Sequence, residues 1–145
     1  MTEMNFRILG VWSLLFLSSL LLFSSAEASS CGKMVVMRAA GSGGKMVELV
    51  IDSEQLRVAP KWNPSSGESV PLSASEVYKL STEWIADRHS EIGVDVRRIS
   101  LTSSGCSSLL GGWYYVVELT PVGGAPYTAS DWLAILMDGT IIEPR

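Results

Sequence analysis

Between residues 8 and 23 the chain consists of Leu, Ile, Val, Phe and Trp, interrupted only by Gly10, Ser13, Ser18 and Ser19. Beyond it the apolar pattern breaks into shorter pieces. Two runs of strand length, 33–40 and 45–52, flank Gly41-Ser42-Gly43-Gly44, so the pattern predicts a hairpin over 33–52. The words Gly32-Lys33-Met34-Val35 and Gly44-Lys45-Met46-Val47 repeat across it, as two paired strands would. Residues 53–72 turn polar, and Pro60, Pro64 and Pro71 exclude a helix interior or a sheet centre, which predicts a crossing loop containing Trp62.

The period then becomes helical. Ser73-Ala74-Ser75-Glu76 is a capping box, Leu72 and Val77 form a hydrophobic staple, and Val77, Leu80, Trp84 and Ile85 recur on one stripe. A helix over 73–92 follows, fading near Ser90 and stopped by Gly93. After it a period of two predicts strands over 94–101, 113–120 and 130–137, with Asp138-Gly139 as a two-residue type I′ turn into a short strand over 140–143. The fold class is α+β: one amphipathic helix on an antiparallel sheet of five or six strands, in the order ββαβββ(β), with residues 94–143 carrying the later strands.

Trp113, Tyr115, Val117 and Leu119 share one strand face and Tyr114, Val116, Glu118 and Thr120 the other. Residues 132–137 are apolar on both faces, which implies a central position in the sheet or a covered outer face. For a covered face two covers present themselves: a partner protein that touches Tyr114, or the chain's own loop around Trp62. Trp62 itself is either an exposed partner contact or a ring capping an edge of the core.

Composition changes the picture by exclusion. With 145 residues, 47% hydrophobic, 18% charged and a net charge of −4, the chain is neither a disordered polar polymer nor a basic nucleic-acid binder. Arg7 precedes the first apolar run, and Ala26-Glu27-Ala28 follows it with small residues where a signal peptidase needs them. Residues 1–28 therefore read as a signal peptide and 29–145 as a single domain exported to the periplasm or the extracellular space. The run of 16 residues is shorter than the roughly 20 that span a bilayer; an uncleaved N-terminal anchor is the alternative. Cleavage removes Glu3, Glu27 and Arg7 from 15 acidic and 11 basic side chains, leaving a formal net charge of −3.

Both cysteines lie beyond the cleavage site. In an oxidising compartment Cys31 and Cys106 are candidates for one disulfide. The competing readings are a lipidated Cys31, although Ala28-Ser29-Ser30 lacks the Leu that a lipobox places three before its cysteine, and two unpaired buried thiols. Without that lipid, the exported domain has no membrane attachment.

Candidate chemistry is sparse. His89 is the only histidine, and with no CxxC pair the sequence offers no zinc ligand set. Its place near a helix C-terminus suits the helix dipole. No G-x-S-x-G elbow occurs, and Gly41-Ser42-Gly43-Gly44-Lys45 fails as a phosphate loop because Met46 follows the lysine. Met34 and Met37 would make a thioether pair for copper, but three residues apart on a regular strand they face opposite ways. No catalytic residue, cofactor or metal is assigned. The alternatives are a hydrolase of unrecognised type, needing two converging carboxylates or His89 with a serine, and an envelope-anchored structural component.

Taken together, the helix opening Leu72-Ser73-Ala74-Ser75-Glu76-Val77, the strand Trp113-Tyr114-Tyr115-Val116-Val117-Glu118 and the closing Met137-Asp138-Gly139-Thr140-Ile141-Ile142 resemble a PepSY-like exported domain over roughly half the chain. The resemblance implies a non-catalytic module that binds or restrains partners, peptidases among them, outside the cytoplasm. It transfers no functional residue. The helix-on-sheet plan is also similar to the cystatins, but Gln55-Leu56-Arg57-Val58-Ala59 departs from their Q-x-V-x-G loop.

Overall fold

A computed structural model describes residues 32–40, 44–89, 93–106, 112–122 and 132–145. The leader assigned to residues 1–28, and Cys31, lie outside them. Among the described residues no helix is long and apolar enough to cross a membrane.

The middle of the fold is set by two strands that are apolar on both faces. Strands β3 (Val94–Ser103), β4 (Trp113–Pro121), β5 (Trp132–Leu136) and β6 (Ile141–Ile142) form an antiparallel sheet in that order. On one face Tyr115, Val117, Leu119, Leu133 and Ile135 pack with Val77 and Ile85 of helix α2 (Ala74–Arg88). On the other face Tyr114, Ala134 and Leu136 meet Leu49 and Ile51 of a hairpin, β1 (Lys33–Ala40) with β2 (Met46–Asp52). Leu56 of helix α1 (Ser53–Val58) completes this second core. Each of the large aliphatic side chains buried here contributes about 2 kcal/mol.

The architecture is α+β with one main helix, and it corrects the single sheet expected from the pattern. The hairpin forms its own two-stranded sheet and lies across the four-stranded one. The physical reason is the second apolar face of β4 and β5, which no residue of α2 can reach. Leu49 and Ile51 are 1% and 0% exposed, so the hairpin is the cover that the pattern left open.

The stretch 53–72 is likewise not all loop. Asp52-Ser53-Glu54-Gln55 opens α1 with the Gln55 side chain accepting from the Asp52 N–H at 3.0 Å, and Ala59 is extended ahead of Pro60. α2 starts as read: the Ser73 hydroxyl accepts from the Glu76 N–H, and the Glu76 carboxylate accepts from the Ser73 N–H at 2.8 Å. It ends at Arg88, earlier than 92, with the His89 N–H on the Ile85 carbonyl. Ser81 joins the buried stripe; its hydroxyl is satisfied by the Val77 carbonyl at 2.8 Å.

The β5–β6 turn also differs from the expected two-residue type. Ile135 pairs with Ile141, and the Leu136 N–H donates to the Thr140 carbonyl, leaving a three-residue loop from Met137 to Gly139. Gly139 takes φ +86°, where a three-residue hairpin places glycine. A Cβ there would sit 3.4 Å from Leu80 on α2. Gly139→Ala is therefore expected to cost about 1–2 kcal/mol through the left-handed backbone, read as a lower urea midpoint with an unchanged slope.

Candidate functional site

Two β-bulges decide which polar and sulfur-bearing side chains meet. In β3 the register with β4 slips between Val96 and Arg98, so Arg97 and Arg98 both oppose Glu118. Arg97 Nη1 lies 2.8 Å from Glu118 Oε1 and Arg98 Nη2 2.8 Å from Oε2. The carboxylate side chain is 7% exposed while both guanidiniums are more than half exposed, so a buried anion is neutralised from the solvent side. Trp132 stands opposite Glu118 on the β5 side. The signal was in the sequence: the apolar positions of β3 run 94, 96, 99, a change of phase at Arg97-Arg98 that marks a bulge.

The second bulge lies between Val35 and Met37 in β1. It overturns the argument that Met34 and Met37 face opposite ways, because both pack against the hairpin-side core. Their neighbours there include Leu49, Ile51 and Tyr114, which makes the two thioethers part of an apolar core.

Trp62 sits where the proline-rich segment turns over the end of β4. Its indole N–H donates to the Glu68 carbonyl at 3.0 Å, and its ring meets Trp113 edge-on at 5.3 Å between centroids. The segment is built, with Asn63 Oδ1 accepting from the Ser65 N–H and the Ser66 hydroxyl donating to the Asn63 carbonyl. Lys61 Nζ donates to the Leu56 carbonyl at the end of α1; burial, and then the Arg57 charge, hold its pKa below the ordinary lysine value. Trp62 is half-buried and rests on Trp113, which itself packs against the helix-side core.

Tyr114 does not lie on an open face. It is 5% exposed within the hairpin-side core, and burial raises its phenol pKa. The chain's own hairpin occupies the place proposed for a partner, and for the Trp62 loop as the alternative cover. Tyr115, on the helix face, donates to the Leu72 carbonyl at 2.8 Å; burial and then the Glu76 charge raise its pKa.

His89 packs against the Trp84 ring, 5.1 Å between centroids. The same tryptophan donates its indole N–H to Glu143 at 3.0 Å and lies under Arg88, which also holds Glu143 at 3.0 Å. This cluster ties the segment after β6 to α2. The Glu143 carboxylate accepts from both partners, which is a fastening role. Cys106 is disulfide-bonded; Cys31, its proposed partner, is outside the described residues. Among the described residues no group of three or more His, Cys, Asp and Glu side chains converges as a metal site.

The Arg97–Arg98–Glu118 clamp makes a coupling prediction. Each single alanine substitution leaves one guanidinium in place and should cost about 1 kcal/mol. The double variant strands the carboxylate and should cost about 3 kcal/mol, more than the sum. Additive urea midpoints would remove the clamp as a unit.

The chain matches no family model, and comparison with curated proteins and with solved structures finds no match.

Proposed function

We propose that the chain is a non-catalytic exported module of the PepSY-like kind that binds or restrains a protein partner through the corner built around Trp62. The observation that carries this reading is the fixing of a half-buried tryptophan by its own segment: one edge against Trp113, the indole N–H on Glu68, and the flanking loop closed by Asn63 and Ser66. A binding loop needs this, since an aromatic anchor ordered in advance loses little entropy when a partner arrives. The sheet faces are already spent on α2 and the hairpin, which leaves the loop as the favoured contact.

Export is supported by the apolar run over residues 8–23 and by the disulfide at Cys106, a bond that persists in oxidising compartments. The pairing we propose for it is Cys31, the only other cysteine in the chain. That link would close a loop of roughly 75 residues and stabilise by about 4 kcal/mol on the chain-entropy model. Reduction should add two hydrogens to the intact mass of the monomer and lower the urea midpoint accordingly. A disulfide found between two chains would refute the pairing.

Affinity capture from the native exported fraction tests the function. The wild-type chain should retain its partner and Trp62→Ala should lose it by roughly tenfold or more, as truncation of an aromatic anchor does. Far-UV circular dichroism should be unchanged. Undiminished capture by Trp62→Ala would remove this loop from the interaction.

A further inference from the structure

Exposed strand edges invite pairing with other chains, and among the described residues most strand edges are blunted. The outer edge of β1 carries Lys33, Arg38 and the bulge at Val36. β2 is paired on its other side by Arg145: the Glu48 N–H donates to the Arg145 carbonyl at 2.9 Å, and the Arg145 N–H donates back to the Glu48 carbonyl at 2.8 Å. β6 is two residues long. In β3 the first half is closed too. The Val122 N–H donates to the Gly93 carbonyl, so Gly93 faces β4 and, by alternation, Val96 faces outward. The outward N–H of Val96 is taken by the Asp95 carboxylate at 2.8 Å, and the Arg97 bulge follows.

The second half of β3 has none of these devices. Residues 99–103 read Ile-Ser-Leu-Thr-Ser, without charge, proline or bulge, and pair continuously with residues 113–117 of β4. The Ser104 N–H donates to the Gly112 carbonyl, so Thr102 and Ser100 also face β4, and Ile99, Leu101 and Ser103 present their N–H and C=O outward. Among the described residues nothing pairs with that edge. Leu101 leaves 37% of its surface exposed at its midpoint.

We infer that this edge is where a second copy of the chain docks, β3 against β3, antiparallel about a two-fold axis at Leu101. The register is self-complementary. Leu101 pairs with its own copy, Ile99 with Ser103 and Ser103 with Ile99, so every outward donor meets an outward acceptor. The two Leu101 side chains meet across the axis and cover one another. Arg98 and Arg97 fall opposite Ser104 and Gly105, so no like charges confront each other. An isologous contact of this kind closes at two subunits. A foreign peptide would find only hydroxyls, Ile99 and Leu101 to read, whereas the same segment in a second copy supplies the matching row.

Sedimentation velocity of the purified protein over a concentration series, combined with amide exchange, tests the inference. A reversible monomer–dimer equilibrium is expected. The amides of Ile99, Leu101 and Ser103 should slow with concentration, while those of Ser100 and Thr102, already in the ladder with β4, should not. Leu101→Lys sets two ammonium groups against each other on the axis and should weaken the dimer roughly tenfold or more, with its melting temperature retained. Ser103→Pro removes an outward donor without touching the β4 ladder and should do the same, so the inference stays testable if one variant folds poorly. Three results would overturn it: a monomer at every concentration, a dimer indifferent to both substitutions or protected at other amides, and a monomer that instead gains protection along this edge from an extended peptide of unrelated sequence.

Discussion

A sheet whose two central strands are apolar on both faces cannot be half wetted, and the rest of this protein follows from that demand. Val117 and Leu133 are fully buried toward α2, and Ala134 and Leu136 are buried toward the hairpin. Remove either cover and a continuous apolar face of β4 and β5 meets water, at about 25 cal/mol per Å². The domain is therefore three layers deep, and its two cores are separated only by the thickness of the sheet.

Holding three layers together falls to polar groups at the margins. Glu143 joins the end of the sheet to α2 through Trp84 and Arg88, and Arg145 joins it to β2 by a reciprocal main-chain pair. Arg97 and Arg98 neutralise Glu118, the one buried carboxylate among the described residues. Buried polar side chains among the described residues all have partners, so the margins are electrostatically closed. Among the described residues, the half-buried Trp62 and the second half of β3, with Leu101 exposed, lie at these margins.

The bulges show how a one-residue irregularity governs which side chains meet. A period of two puts Met34 and Met37 on opposite faces; the slip at Val36 returns both to one core. The slip at Arg97 likewise brings two arginines against one carboxylate where a regular strand would bring one. The slip in β3 leaves a trace as a break in apolar phase at Arg97-Arg98, whereas the continuous apolar run Met34-Val35-Val36-Met37 hides the one in β1. The capping box Asp52-Ser53-Glu54-Gln55 ahead of Leu56 was equally legible, and the prolines that follow it masked a six-residue helix within a segment read as loop.

Local chemistry decided the parts that depend on neighbours along the chain. The start of α2 at Ser73 with Glu76, its stripe through Val77 and Ile85, the strands, and the Asp138-Gly139 reversal are all dictated by hydrogen bonds and side-chain spacing within a few residues. Only the tertiary structure decided that the hairpin crosses the sheet instead of extending it, that Tyr114 is core, and that Glu143 fastens α2. Those outcomes depend on contacts between residues far apart in the chain, 55 and 59 positions for Glu143 with Arg88 and Trp84, and a periodicity records which face is apolar without recording what will cover it.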